Sequence, residues 1–394
     1  MIPSSNQVDV IVLGASPTGL YAVREAAKFG CRVAIADVNA GCAFHSRFIS
    51  THDCFQGDLD SIKNWMYSVA QRGAGKPVII PTNDVFIEFI ISNADSLSCD
   101  FLFSDAYSGV AEQLLDKKLF HDLCVKFNVD TPGVWTALDK EALLSLTSRV
   151  PYPCLLKPTL IHRARGYLNG KKVLIARTAS EFESLVSSMP DGLGEWLVQE
   201  IIPGPESRIT LLGAYVNSDG RPVQAFSARK LRQYPPGFGS ASLVLSRRCE
   251  KTEELSMALL SNIGFRGVCG VEFKFDSRDN KLKIIEVNPR PTLWFQITYD
   301  SGKRIVSSMI ADLLGKAAPA DSTQDESVRW RYALKDAYSR LFYFRVPDDF
   351  VLPPGEKSGL PNRVKSSWPV FSFADPKPAL FEPIGYIRKL WSRL

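Results

Sequence analysis

The stretch from Gly270 to Arg290 constrains this chain more than any other. Two β-patterned runs, Val271 to Asp276 and Leu282 to Val287, flank Ser-Arg-Asp-Asn, the pattern of an antiparallel hairpin over a short polar loop. With Arg278, Asp279 and Asn280 as a three-residue loop and Asn280 left-handed, Ser277 faces Lys281 and Glu272 faces Glu286. Period-two alternation adds Asn288 and Arg290 to the same face. Two carboxylates and an amide oxygen, with a guanidinium beside them, are hard ligands suited to magnesium that carries a nucleotide's phosphates. The alternative is a polar, solvated face. Against it, Glu286 and Asn288 interrupt an otherwise apolar run of Ile284, Ile285 and Val287.

At 394 residues, 45% hydrophobic and 23% charged, the chain has the length and balance of two or three globular domains. Its formal charge of +5 is uneven: residues 329–394 hold 12 Lys and Arg against 6 Asp and Glu, and the rest holds 35 against 36. A neutral body with a basic tail argues against general nucleic-acid binding, which spreads basic surface over the main fold. The 8 cysteines include no C-x-x-C pair and several lie in apolar runs, as buried thiols in a reducing compartment do. No basic-then-apolar leader opens the chain and no apolar run reaches about 18 residues, so a cytoplasmic protein without stable membrane insertion is expected.

The opening reads as a βαβ unit: strand Val8 to Leu13, a Gly-Ala-Ser-Pro-Thr-Gly turn, helix Leu20 to Phe29 and strand Arg32 to Ala36 ending at Asp37. Gly14 and Gly19 stand five apart with Pro17 between them, without the middle glycine that a dinucleotide fingerprint needs. Asp37 is the one feature suited to a ribose, and it keeps an NAD(P)-dependent enzyme as an alternative. Pro77 to Ile80 is a short buried strand leading to Thr82, Asn83 and Asp84, candidates for a substrate site by position and equally for a helix cap.

The Glu272, Glu286-x-Asn288, Pro289-Arg290 pattern resembles the metal-binding signature of the ATP-grasp superfamily, which includes biotin carboxylase and D-alanine:D-alanine ligase. Four further segments fit that resemblance. Asp116-Lys117 opens a helix ending near a Thr-Pro turn, and the resemblance makes Lys117 a phosphate ligand; an exposed helix lysine is the competing reading. Lys157 sits in an apolar strand before Pro158, where a buried cation is costly unless an anion meets it, and the resemblance makes it the second phosphate lysine. Trp196 to Ile202 running into Pro-Gly-Pro resembles the interdomain hinge, with adenine read by main-chain groups of Glu200, Ile201 and Ile202 and the ribose by Glu206; a plain turn with an exposed Glu206 is the competing reading. Arg229, Lys230 and Arg232 before a Pro/Gly loop suit a closing clamp on the γ-phosphate or a substrate carboxylate. Residues 159–172 depart from the family: they hold only Gly166 and Gly170 among basic side chains.

By composition residues 316–328 read as a linker, and the basic, aromatic-rich residues 329–394 as a segment packed on the body. The resemblance implies an α/β and α+β protein: an N-terminal doubly wound domain (1–110), then a two-subdomain ATP-grasp fold (111–200 and 201–315). It also implies ATP with Mg2+ or Mn2+, metal ligands Glu272, Glu286 and Asn288, and catalytic roles for Arg290 and Lys230. The reaction is then activation of a carboxylate as an acyl phosphate and its capture by an amine. The partners are small molecules, at least one an amino acid; a homodimer is left open. From another class, the alternative is a nucleotide-binding module without ligase turnover. The segment Tyr386 to Leu394 is a candidate for membrane-surface or partner binding.

Overall fold

The computed structural model describes residues 7–71, 73, 75–158, 168, 173–190, 192, 194–348, 350–355 and 364–383. In the first of its sheets β1 (Val10–Leu13), β2 (Val33–Asp37), β3 (Ile49–Cys54) and β4 (Val78–Pro81) run parallel in the order β3-β2-β1-β4. Val10 and Val12 enter one core, Ile11 and Leu13 another, so β1 is continuously apolar because both its faces are covered. The helix Pro17–Lys28, capped by Ser16 and with proline at its first position, lies on one face. Helices Leu59–Ala70 and Asp84–Ser98 lie on the other. The result is doubly wound. β3 escaped the sequence reading because half its residues are exposed and no apolar run marks it.

The turn after β1 is tight for a packing reason. Gly14 has φ +112°, and a Cβ there would lie 2.2 Å from Thr82 Oγ1. Asp37 is buried and accepts the Ala15 N–H at 2.6 Å. The carboxylate that suited a ribose is therefore an internal cap of this turn, and the NAD(P) alternative loses its supporting residue.

The second sheet has the order β5-β8-β6-β7, from β5 (Val134–Ala137), β6 (Cys154–Pro158), β7 (Leu174–Ala176) and β8 (Trp196–Glu200). Cys154, Leu156, Trp196 and Val198 enter a core of its own with Phe182. The alternate residues Leu155, Lys157 and Gln199 face a cleft.

The third sheet orders seven strands as β13-β12-β9-β10-β11-β14-β15. They are β9 (Ile209–Val216), β10 (Pro222–Tyr234), β11 (Ser240–Ser246), β12 (Gly267–Asp276), β13 (Lys281–Asn288), β14 (Val328–Arg331) and β15 (Lys365–Ser367). It shares both large cores with the first sheet, so these two pack as one body. The aromatic-rich end of the chain does more than lie on that body: β14 pairs with β11 through the fully buried Trp330, and β15 with β14. Asp375 then fastens it to the first unit through Arg24 Nε at 3.0 Å. Among the described residues no helix is long and apolar enough to cross a membrane.

Candidate active site

A cleft of about 380 Å³ lies between the second and third sheets. Its floor is the hairpin β12–β13, where Glu272 pairs with Glu286 as expected, although the route to that pairing differs. Asp276, not Ser277, faces Lys281, so the loop has four residues, with Asn280 left-handed at φ 58°. A register shift follows: Phe273 pairs with Ile284 and Glu272 with Glu286, leaving Ile285 as an extra residue. The bulge keeps Ile284 and Val287 in the core and turns Ile285, Glu286 and Asn288 to the cleft. Behind the hairpin, Gly270 and Gly213 are cross-strand partners. A Cβ at Gly270 would lie 2.7 Å from Thr292 Cγ2, so this bare patch is what lets the segment after Arg290 lie flat on the sheet.

Three lysines converge on the two carboxylates. Lys117, at the start of the helix Lys117–Lys126 capped by Asp116, places Nζ 3.5 Å from Glu286 Oε2. Lys230 of β10, almost fully buried, pairs with Glu272. Lys157 donates to Gln199 Oε1 at 2.8 Å, and Lys117 and Glu286 both act on its charge. Burial, then Lys117, lowers the Lys157 pKa to about 8. Burial raises that of Glu272, with Lys230 opposing. Burial also works to raise Glu286, yet Lys117 and Lys230 hold it well below the usual carboxylate range. Asn288 donates Nδ2 to Glu286 Oε1 at 2.9 Å and accepts from Arg290 Nη2 at 3.2 Å. Arg290 also meets Asp84 Oδ1 through Nε at 2.8 Å, bringing the first unit to the rim. Thr82 and Asn83 are otherwise engaged, the one donating to Leu13 O at 2.9 Å and the other capping its helix.

Residues 240–298 match the sequence profile of the carbamoyl-phosphate synthase L chain, ATP binding domain. The chain is 26% identical to the D-aspartate ligase of Enterococcus faecium (strain Aus0004) over 226 residues, 55% of this chain and 53% of that protein. It thus spans about half the length of that relative. Its fold superposes on the ADP complex of N5-carboxyaminoimidazole ribonucleotide synthetase with TM-score 0.63 at 14% identity, covering 82% of this chain and 81% of that one. The biotin carboxylase domain of the Hydrogenobacter thermophilus 2-oxoglutarate carboxylase, solved with MgADP and bicarbonate, gives 0.62 at 15%, covering 82% and 73%. The chain has the fold of these ATP-grasp enzymes, and its sequence is similar to the ATP binding domain profile and to the D-aspartate ligase.

Within the ATP-grasp fold, Ile201 and Ile202 line the cleft just past the end of β8. The Ile202 carbonyl accepts Lys274 Nζ at 2.7 Å. Glu200 also lines the cleft, but its carboxylate holds Arg278 and the Gly133 N–H. Glu206 departs from its expected ribose role. It is buried, accepts the N–H groups of Gln233 and Gly237, and so fixes the turn after β10 rather than facing the cleft. Two of the three basic residues on β10 also depart: Arg229 donates to Ser207 O at 2.9 Å and Arg232 to Asp336 at 2.7 Å. A register shift after Lys230 breaks the alternation that would have put Arg232 beside it. The loop that follows does line the cleft, at Gly237, Phe238 and Gly239. The basic stretch 159–172 lies outside the described residues, Leu168 excepted.

Sequence reasoning missed Lys274 and Gln199. Lys274 stands two residues after Glu272 on one strand, so alternation placed it on the same face. It is buried and its pKa is lowered to about 8 by that burial.

Among the described residues no three Asp, Glu, His or Cys side chains gather as a metal cage. Two facing carboxylates do fit a magnesium ion whose remaining ligands are phosphate oxygens and water, the coordination that ion prefers. As arranged, Asn288 turns its nitrogen to Glu286, so it adds a third oxygen only with its amide reversed.

Proposed function

We propose that the chain is an ATP-dependent ligase that activates a carboxylate as an acyl phosphate and joins it to an amine, releasing ADP and phosphate. The convergence of Lys117, Lys157 and Lys230 on Glu272 and Glu286 carries this reading, because a cation-rich wall over paired carboxylates suits a metal-bound polyphosphate. Lys117 and Lys157 hold phosphate oxygens, while Ile201 and Ile202 meet adenine through their main chain. Glu272, Glu286 and Asn288 would hold the Mg2+, or Mn2+, that neutralises phosphate charge. The substrate carboxylate oxygen attacks the γ-phosphorus as its bond to the bridging oxygen breaks and ADP leaves. An amine nitrogen then attacks the acyl carbon, the carbon–oxygen bond to phosphate breaks, and the nitrogen's proton passes to solvent. Arg290 and Lys230 stabilise the negative charge that develops on the acyl oxygen and phosphate. The amide or peptide product joins two small molecules, at least one an amino acid.

Enzyme incubated with ATP, magnesium and pooled carboxylates and amines is expected to release ADP only when both substrate classes are present, with a condensation product seen by mass spectrometry. Phosphate transfer without any condensation product counts against the ligase reading. ADP release indifferent to both pools would point to a nucleotide switch.

The lowered pKa of Lys157 gives a pH signature. Burial favours the neutral amine, and a phosphate anion restores the proton, so affinity for ATP should fall as pH rises through about 8. Calorimetry at pH 8 in two buffers of different ionisation enthalpy should show about half a proton taken up on binding, since the free lysine is then half protonated.

A further inference from the structure

The helix Ala333–Phe344 is mounted inside out. Its fully buried side chains are polar, Asp336 and Ser339. Asp336 accepts Arg232 Nε at 2.7 Å and Arg331 Nε at 2.8 Å, and Ser339 donates to the Gln233 carbonyl. Outward it shows Leu334, Tyr338, Leu341 and Phe344, exposed by 63%, 55%, 68% and 80%. Spacings of four, three and three residues make these one stripe, the reverse of how a surface helix orients its apolar face. Rolling the helix to bury that stripe would strip Asp336 from both guanidinium groups and leave Arg232 and Arg331 unpaired, a costly exchange. The orientation is therefore held in place.

Lys335, Arg340 and the C-cap Arg345 flank the stripe, and the only acid on the helix is the inward Asp336. The first exposed acid beyond it is Asp348. We propose that this face docks on an anionic lipid bilayer, its Leu and Phe side chains among the acyl chains and its cations at the headgroups. A second copy of the chain suits the face less well, since it would bring two like-charged faces together, with Asp336, the helix's acid, turned inward on both. The C-terminal stretch from Tyr386 lies outside the described residues.

The test is co-sedimentation of the full chain with vesicles. Binding to equal parts phosphatidylcholine and phosphatidylglycerol should exceed binding to phosphatidylcholine alone by about tenfold or more, because each basic residue adds to the attraction. The excess should shrink as salt is raised. Leu341→Glu combined with Phe344→Glu changes only exposed positions and should reduce binding to the phosphatidylcholine level. Arg340→Glu with Arg345→Glu should remove the anionic preference. Equal binding to both vesicles, no binding to either, or binding that survives the Leu341→Glu and Phe344→Glu pair would overturn the proposal. So would a concentration-dependent dimer, abolished by that pair, in a protein that ignores vesicles.

Discussion

Glu286→Gln is expected to cut turnover about 10²- to 10³-fold, the loss that follows removal of one fixed charge aimed at a transition state. The fold should survive. Glutamine keeps the shape and can still accept the Asn288 amide, which now meets Glu286 Oε1 at 2.9 Å. The ion pair lost is the half-exposed one with Lys117 at 3.5 Å, a kind that adds little stability. Removing a negative charge opposite Glu272 also relieves the repulsion that helps raise the Glu272 pKa. It also forfeits the attraction of Lys117 and Lys230 that holds the Glu286 pKa down, so the melting temperature should fall slightly while kcat collapses. The measurement is steady-state turnover at saturating ATP and magnesium, beside a thermal melt; wild-type turnover under those conditions would remove Glu286 from the metal site.

How much of this site the sequence could reveal is best judged on the hairpin. The pairing of Glu272 with Glu286 was legible, but through two errors that cancel. The loop is one residue longer than read, which alone would have slipped the register by one, and the bulge at Ile285 restores it. Neither feature has a local signature: Ser277 is as good a strand end as a loop residue, and an isoleucine in a bulge looks like an isoleucine in a strand. The core and cleft faces decide the register, and these are tertiary. Lys157 was legible for a sounder reason. A cation in an apolar strand is an energetic anomaly at any register, and strict alternation along β6 places it opposite the core of its sheet.

The basic run on β10 failed for the opposite reason. Arg229, Lys230 and Arg232 are chemically interchangeable by sequence, and only their partners separate them. Ser207 and Asp336 come from segments about 20 and 100 residues away, which no local pattern ties to β10. Glu206 and Asp37 failed likewise. Each sits where a ribose contact was expected, and each is drawn to backbone N–H groups of a turn remote in sequence, Gln233 and Gly237 for Glu206 and Ala15 for Asp37. A carboxylate beside a Gly-rich turn is always open to that competing use. The inside-out helix was hidden too, since an apolar period of four and three residues predicts an inward face and gives no sign that a buried aspartate will hold it outward.

Lys157→Met should weaken ATP binding about 10- to 100-fold, the usual worth of a charge-assisted hydrogen bond, without unfolding the protein. Methionine retains the apolar stem, which lines the cleft together with Leu155 and Val173. It deletes one hydrogen bond, to Gln199 at 2.8 Å, and leaves that amide on a cleft wall open to water. Against this loss stands a gain, for the lowered pKa of about 8 means that the site disfavours the lysine cation. Stability in the variant should accordingly change little. Nucleotide affinity should fall, and the decline of that affinity as pH rises through about 8 should disappear with the group that causes it. A loss of affinity that kept the wild-type pH slope would assign the slope to Lys274, whose pKa is also about 8 and which lies on the same cleft. Unchanged affinity by calorimetry would move the phosphate site away from β6 altogether.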